Sequence, residues 1–412
     1  MVTRKLDGNL KNLLYKKILV VDGNMTVADL KTKLIKVSHD AKATIWTKAG
    51  RHLRYVHEHP KILERILIQE NGVTYYTNEF EKGYYGYCEP FAFLHPVTYL
   101  HVLKDVWVVG SEGHIFFEHD QLFSICSSLK GIAERKIRRP IPLLAQVIEE
   151  PVFILASRAP GNRGHFLVEH LPRLVASINA IKKLGGCNYL VTPMHRKWQL
   201  PYLEKLGIPE SAVIEASIGS TFCKTAFYVP TLCNGKIATV SRDNHYQYLR
   251  KCFINDLGPS DKGSPIFLTR KDAPDRKLIN EDSIFSIAQT FFPGIRCIAL
   301  STLSLDEQIS LFRKAPVIIG SHSQPFRNVL FSSDSFIVQL IQGFRESSNE
   351  YYQWAQNYNY IGNIGGNLCL PLFSEIAFNT NNDWIYPEDK FEKEMSQLRS
   401  LLNNKNTMPY DV

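Results

Sequence analysis

The spacing of hydrophobic and polar positions changes along this chain, and the changes divide it. Residues 1 to about 95 are mixed in pattern and mostly polar, rich in Lys and His, and suggest no chemistry. From Val97 to Leu122 apolar and polar positions alternate on both sides of Gly110–Gly113, which predicts two strands joined as a β-hairpin. Pro140 to Pro151 reads as a connector. From Pro151 the pattern turns to strand–helix alternation. Val152 to Leu155 is a short apolar run. After a turn at Gly161–Gly164, apolar residues recur at Leu167, Leu171, Leu174, Ile178 and Ile181, the spacing of one helix face. Pro172 predicts a kink or a late helix start, and Gly185-Gly186 a stop. Tyr189–Val191 then reads as a strand and Trp198–Leu206 as a helix.

Asn255 to Ser264 is polar with Gly and Pro, a linker. Beyond it, strands are predicted at Ile266–Thr269, Arg296–Leu300, Val317–Ile319 and Phe336–Leu340. Helices are predicted over Glu281–Phe291, from the capping box Ser304-Leu-Asp-Glu307 to about Lys314, and briefly after Phe326. Glu388–Leu402 reads as a terminal helix. Strands separated by helices imply α/β architecture with parallel sheets. The expectation is two Rossmann-like, doubly wound lobes preceded by an N-terminal extension with the β-hairpin. The corresponding division is an extension over 1–96, a first lobe over 97–256, a second over 265–385, and a C-terminal helix and tail over 386–412.

Length supports that division, since 412 residues exceed what one core fills. Apolar residues at 44% and charged residues at 21% describe a globular chain. The net charge of +8 is partly local, in the basic run Lys130–Arg139. That run is either a solvated surface segment or an attraction for an anionic partner. No helix-turn-helix, zinc finger or aromatic RNA-binding motif accompanies it, so no nucleic-acid partner is expected. None of the eight cysteines forms a Cys-x-x-Cys pair, which points to reduced thiols rather than a disulfide frame or zinc site. The chain shows no signal-like apolar segment and no run of about 18 apolar residues. The expected location is therefore cytoplasmic.

Three segments carry candidate chemistry. Arg270 and Arg276 follow a predicted strand and precede a predicted helix, where guanidinium groups bind phosphate oxygens and a helix dipole assists. The competing reading is a solvated turn whose arginines pair with Asp272 and Asp275, with Asn280 as a helix cap. Gly320, His322 and Asn328 follow a second apolar strand. There Gly permits close backbone approach and His322 can donate a hydrogen bond, unless it is simply satisfied by backbone. Ligands of open α/β sheets lie beyond such carboxyl ends. His165, Glu169 and Arg173 occupy one helical row, a candidate base beside a counter-charge or a salt-linked helix start. His165 and His170 do not share a face, which argues against zinc, and no metal site is expected.

Together these segments resemble the family-61 glycosyltransferases, known by a domain of formerly unknown function (DUF563) and including bacterial capsular and exopolysaccharide enzymes. The first motif matches as Asn162, His165, Phe166, Glu169, Leu171, Pro172 and Arg173. The second matches as Arg270, Arg276, Asn280 and Glu281. The third matches as Glu307, Gln308, Ala315, Gly320, His322, Asn328 and Phe331. The similarity runs from about Val97 to Leu340. Where the family continues with Gly-Ala, this chain has Ser323-Gln324-Pro325, which alters the donor pocket or impairs the enzyme.

The resemblance implies a GT-B architecture and inverting transfer of a hexosyl or pentosyl group from a nucleotide-sugar, a UDP-sugar first, without a metal cofactor. The acceptor it implies is a glycan or lipid-linked glycan, in surface polysaccharide biosynthesis; the basic run Lys130–Arg139 leaves open a peripheral contact with an anionic inner membrane face. It assigns Arg270 and Arg276 to the diphosphate, with Asn280, Gly320, His322 and Asn328 shaping the donor pocket. Asn162 and Arg173 fall on the acceptor side. Glu169 or His165 is the base, Glu169 preferred because a carboxylate is ordinarily anionic at neutral pH. Two other classes stay open: a non-catalytic glycan- or partner-binding protein on a degenerate GT-B fold, and a nucleotide-sugar epimerase or hydrolase.

Overall fold

The computed structural model describes residues 19–20, 54–76, 91–118, 121–123, 144–157, 159–217, 220–232, 240–254, 261–344, 350–377 and 382–405. The basic run Lys130–Arg139 and the first part of the Asn255–Ser264 linker lie outside them. The chain forms two compact units: Met1–Asn71 with Pro96–Leu232, and Gly72–His95 with Cys233–Val412.

Among the described residues, unit 1 is built on an eleven-stranded mixed sheet. Its principal strands are β1 (Ile62–Gln69), β2 (Thr98–Val109), β3 (His114–Glu118), β4 (Leu144–Ile148), β5 (Val152–Ile154), β6 (Asn188–Val191), β7 (Val213–Glu215) and β8 (Ser220–Tyr228). The parallel part runs in the order β7-β6-β5-β8, with helices α1 (Leu171–Lys183) and α2 (Arg196–Lys205) in the crossovers. β2 pairs antiparallel with β8, β1 and β3. The expected hairpin therefore continues this lobe's sheet, which is mixed rather than wholly parallel. One reason lies in Gly113, whose φ of 67 turns β3 back on β2. A Cβ there would meet the Ala156 carbonyl at 2.6 Å, so only glycine lets the turn pack beside the end of β5. Alternate positions of the strands, among them Val106, Val108, Ile115, Ile154, Leu190 and Ala226, fill one core cluster.

Pro172 has the effect its position predicts, though the helix starts before it. Arg163–His165 opens the helix, Phe166–His170 is a π-helical turn, and α1 continues from Leu171. Proline lacks an N–H and its ring crowds the carbonyl four residues back. The widened turn absorbs this, with the Leu171 N–H reaching the Phe166 carbonyl.

Unit 2 holds α3 (Asp243–Ile254), β9 (Ile266–Leu268), α4 (Glu281–Phe291), β10 (Arg296–Ile298), α5 (Leu305–Lys314), β11 (Val317–Ser321), β12 (Phe336–Ile341), α6 (Glu350–Asn363), β13 (Leu368–Phe373) and α7 (Glu388–Lys405). The five strands are all parallel, in the order β10-β9-β11-β12-β13. By chain order this is 2-1-3-4-5, so the direction of winding reverses between β9 and β11. A crevice opens at such a reversal because successive crossovers leave on opposite faces. The Ser304–Glu307 capping box forms as its spacing predicts. The buried side chains of Trp384, Tyr386, Phe391, Met395 and Leu398 bind α7 into the same core as Ile284, Ile319 and Leu340. Among the described residues no helix is long and apolar enough to cross a membrane.

Candidate functional site

The strand order of unit 2 puts the ends of β9 and β11 side by side, and two of the three candidate segments begin there. After β9 the chain turns under the control of Glu281, a buried carboxylate in the first turn of α4. It accepts from the Thr269 hydroxyl and, at 3.0 Å, from the Arg270 backbone N–H. This anchors the start of the Arg270–Arg276 turn. The Arg270 guanidinium donates to the Asp275 carbonyl at 3.0 Å, while its Nε has no hydrogen-bond partner among the described residues. Arg276 adopts φ 54, a left-handed conformation that costs a residue bearing a Cβ about 1–2 kcal/mol.

The competing idea, arginines neutralised by Asp272 and Asp275, accounts for part of the turn. Asp275 lies 3.7 Å from Arg270 and 3.9 Å from Arg276, so one largely exposed carboxylate is shared by two guanidiniums. Asp272 accepts from the Ser301 hydroxyl at 2.5 Å. Burial, followed by the nearby Arg276 charge, pushes the Arg270 guanidinium below its ordinary pKa, with Asp275 and Asp272 offsetting part of that. Such a pair of like charges favours an anion beside it.

Beyond β11 the backbone carries Ser321, His322 and Ser323 into a 3₁₀ helix, Gln324–Phe331. Pro325 suits the first turn of that helix, where its missing N–H costs nothing. A Cβ on Gly320 would fall 2.8 Å from the Leu268 carbonyl, so its smallness serves the contact with β9. His322 is buried, its ring parallel to Trp354 at 5.6 Å and tilted 4.8 Å from Tyr358. Burial first, and then the charges of Arg276, Arg327 and Arg270, hold its imidazole well below the ordinary histidine range. Three guanidiniums thus act on one neutral ring. Arg327 stands over the Tyr358 ring at 5.5 Å and donates to its hydroxyl at 3.3 Å. Asn328 donates to Gln308 at 2.8 Å, and Gln308 donates in turn to the Leu300 and Leu303 carbonyls.

In unit 1 Asn162 caps the helix start by accepting from the His165 N–H at 2.9 Å. His165 Nδ1 pairs with the carboxylate of Glu169 across one turn. The π-turn buries Glu169, while the His165 side chain keeps 22% exposure. A partly exposed imidazole oriented by a buried carboxylate is an arrangement suited to proton transfer. Phe166 packs edge-on against Trp198 and Tyr202, fixing the same turn. Arg173 is fully buried. Its guanidinium donates to the Val229 carbonyl at 2.6 Å and the Ile154 carbonyl at 3.2 Å, and lies over Tyr228.

Arg270, Arg276 and His322 are therefore brought together, and Asn328 stands in the helix that carries Arg327. Asn280 sits at the cap position of α4, but its side chain bonds both ways with the Tyr386 backbone, at 2.7 and 3.2 Å. Sequence reasoning missed Arg327, Gln339, Trp354 and Tyr358. Arg327 adjoins Asn328 and was legible as a charged neighbour. The Tyr351, Trp354 and Tyr358 spacing was a readable aromatic stripe on a helix.

The glycosyltransferase 61 family model matches residues 164–338, from the His165–Glu169 turn through β12 as far as Val338. This supports the resemblance seen in the motifs and, with it, a glycosyltransferase. No curated protein matches the chain.

Proposed function

We propose that the protein is an inverting glycosyltransferase of GT-B type that moves a sugar from a nucleotide-sugar, a UDP-sugar first, to a glycan or lipid-linked glycan of a surface polysaccharide. The observation that carries this reading is the convergence of Arg270, Arg276 and Arg327 on His322 at the strand-order reversal of unit 2. A leaving diphosphate develops negative charge as the bond between the anomeric carbon and the phosphate oxygen breaks and the new glycosidic bond forms. Fixed guanidiniums stabilise that charge without a metal in this reading. His165 removes the acceptor hydroxyl proton as the sugar's anomeric carbon is attacked from the opposite face, and Glu169 orients the imidazole and stabilises its charged form. The partly exposed position of His165 beside the buried Glu169 favours that division of labour over the carboxylate as base. The location is cytoplasmic, with any membrane contact peripheral.

Calorimetry of the full chain with UDP, GDP and CMP tests the donor half of the reading. Binding at micromolar to submillimolar concentration, weakened about 10- to 100-fold in Arg270→Ala, supports it; no heat with any of the three at millimolar ligand sinks it. Product analysis with nucleotide-sugars and glycan acceptors then separates transfer from hydrolysis, epimerisation or binding alone.

A further inference from the structure

A neutral imidazole has one donating and one accepting nitrogen, and its neighbours decide which is which. In His322, Nδ1 lies 2.8 Å from Nε2 of Gln339. An amide nitrogen only donates, so Nδ1 carries the lone pair and the ring proton sits on Nε2. Parallel pairing builds this contact: Gly320 stands against Gln339 and Ser321 against Leu340, and the His322 backbone N–H donates to the Leu340 carbonyl at 2.7 Å. Gln339 is itself buried, and its Oε1 has no hydrogen-bond partner among the described residues. Leaving a buried acceptor unsatisfied is unfavourable, and an apolar side chain of similar volume would fill the position without that cost. The amide is therefore explained by what its nitrogen does.

The ring plane is fixed as well, by the parallel Trp354 and the tilted Tyr358. Among the described residues, the hydrogen bonds of His322 run from its backbone N–H and to Nδ1, and Nε2 makes none. Resting on the nucleotide-sugar reading above, we propose that Gln339 is a positioning residue for donor binding. It holds His322 as the neutral Nε2–H tautomer, and this N–H donates to a diphosphate oxygen beside Arg270, Arg276 and Arg327. The opposite tautomer would aim a lone pair at that oxygen. A protonated ring would add another buried charge to three guanidiniums. A neutral directed donor avoids both.

The test uses the full chain with ¹⁵N-labelled histidine and long-range proton–nitrogen correlation spectra, with the His322 signals assigned by their loss in His322→Asn. The wild-type ring should show a pyridine-like Nδ1 and a protonated Nε2. Gln339→Met keeps the volume but removes the amide, so the ring should become a tautomer mixture. The Kd for UDP and for inorganic pyrophosphate should then rise about tenfold, the worth of one hydrogen bond to a charged group. An Nδ1–H ring at His322 in the wild-type protein overturns the proposal, whether or not Gln339→Met folds. So does an Nε2–H ring unchanged in Gln339→Met. A wild-type protein that binds neither UDP nor pyrophosphate overturns the nucleotide-sugar reading and this inference with it; binding of both by a protein with an Nδ1–H ring overturns only the role given to Gln339.

Discussion

At the end of β5 in unit 1, a buried arginine is bonded to the backbone: Arg173 ties the carbonyl of Ile154, the last residue of β5, to that of Val229, just after the adjacent parallel β8. At the end of β9 in unit 2, Arg270 and Arg276 share a single exposed carboxylate across 3.7 and 3.9 Å and act together with Arg327 on a neutral histidine. Both arginine sets stand where parallel strands end. The first closes its strand ends with protein acceptors, while in the second Arg270 and Arg276 share the Asp275 carboxylate. The difference teaches that a buried arginine signals a ligand site only when its acceptors are counted. Carbonyl acceptors satisfy hydrogen bonds without cancelling charge, but a guanidinium bonded into the backbone is held as structure. Two guanidiniums beside one carboxylate, as Arg270 and Arg276 stand beside Asp275, favour an anion next to them.

The comparison can be broken or sharpened by substitution. The largest effect is expected at the dyad of unit 1, where Glu169→Gln should lower kcat about 10³-fold through loss of the oriented base, with UDP affinity unchanged by calorimetry. Next, Arg173→Met should lower stability to urea by about 3 kcal/mol, because two carbonyls lose their donor inside the fold. Nucleotide affinity of the folded protein should stay as it was. Arg270→Ala should do the reverse, weakening UDP about 10- to 100-fold with a smaller change in urea midpoint, since each hydrogen bond to a charged group is worth about 1.5–3 kcal/mol. Interchanged outcomes for these two arginines would reverse the assignment of structural and ligand-binding roles.

The smallest effect concerns α7. Burial raises the Glu394 carboxyl to about 7, against the opposing influence of the Tyr386 hydroxyl and Lys390, with Glu375 adding to the rise. A carboxyl raised on folding binds its proton more tightly in the folded chain. Its contribution is therefore fully present at acid pH and is lost as pH rises from the ordinary carboxyl range through about 7. Stability of the wild-type protein should decline over that window. Glu394→Gln still accepts from Tyr386 and should flatten the decline, as read by thermal unfolding at stepped pH. An unchanged slope would remove Glu394 as its source.

Much of the local structure was legible in the pattern of residues. The three-and-four spacing from Leu167 to Ile181 became a helix, Pro172 disturbed its first turns, and Ser304 and Glu307 closed their capping box. These follow from local rules, since a turn of helix or a cap involves residues a few positions apart. The motif residues Arg270, Arg276 and His322 were legible too, as charged or polar groups just beyond apolar runs. Their different neighbours were not. Asn280 had the sequence of a cap and became a clasp on the Tyr386 backbone, over a hundred positions away.

By itself the chain's sequence determined the α/β alternation, the placing of arginines and histidine at strand ends, and the glycine that lets β11 lie close to β9. Tertiary structure decided the strand order 2-1-3-4-5, and with it everything that gives those residues their electrostatics. It set Gln339 beside His322, brought Trp354 and Tyr358 around the imidazole, and added Arg327 to the arginine group. The reason is physical. Periodicity reports which face of an element is buried, whereas strand order and side-chain direction depend on the packing of segments distant in the chain.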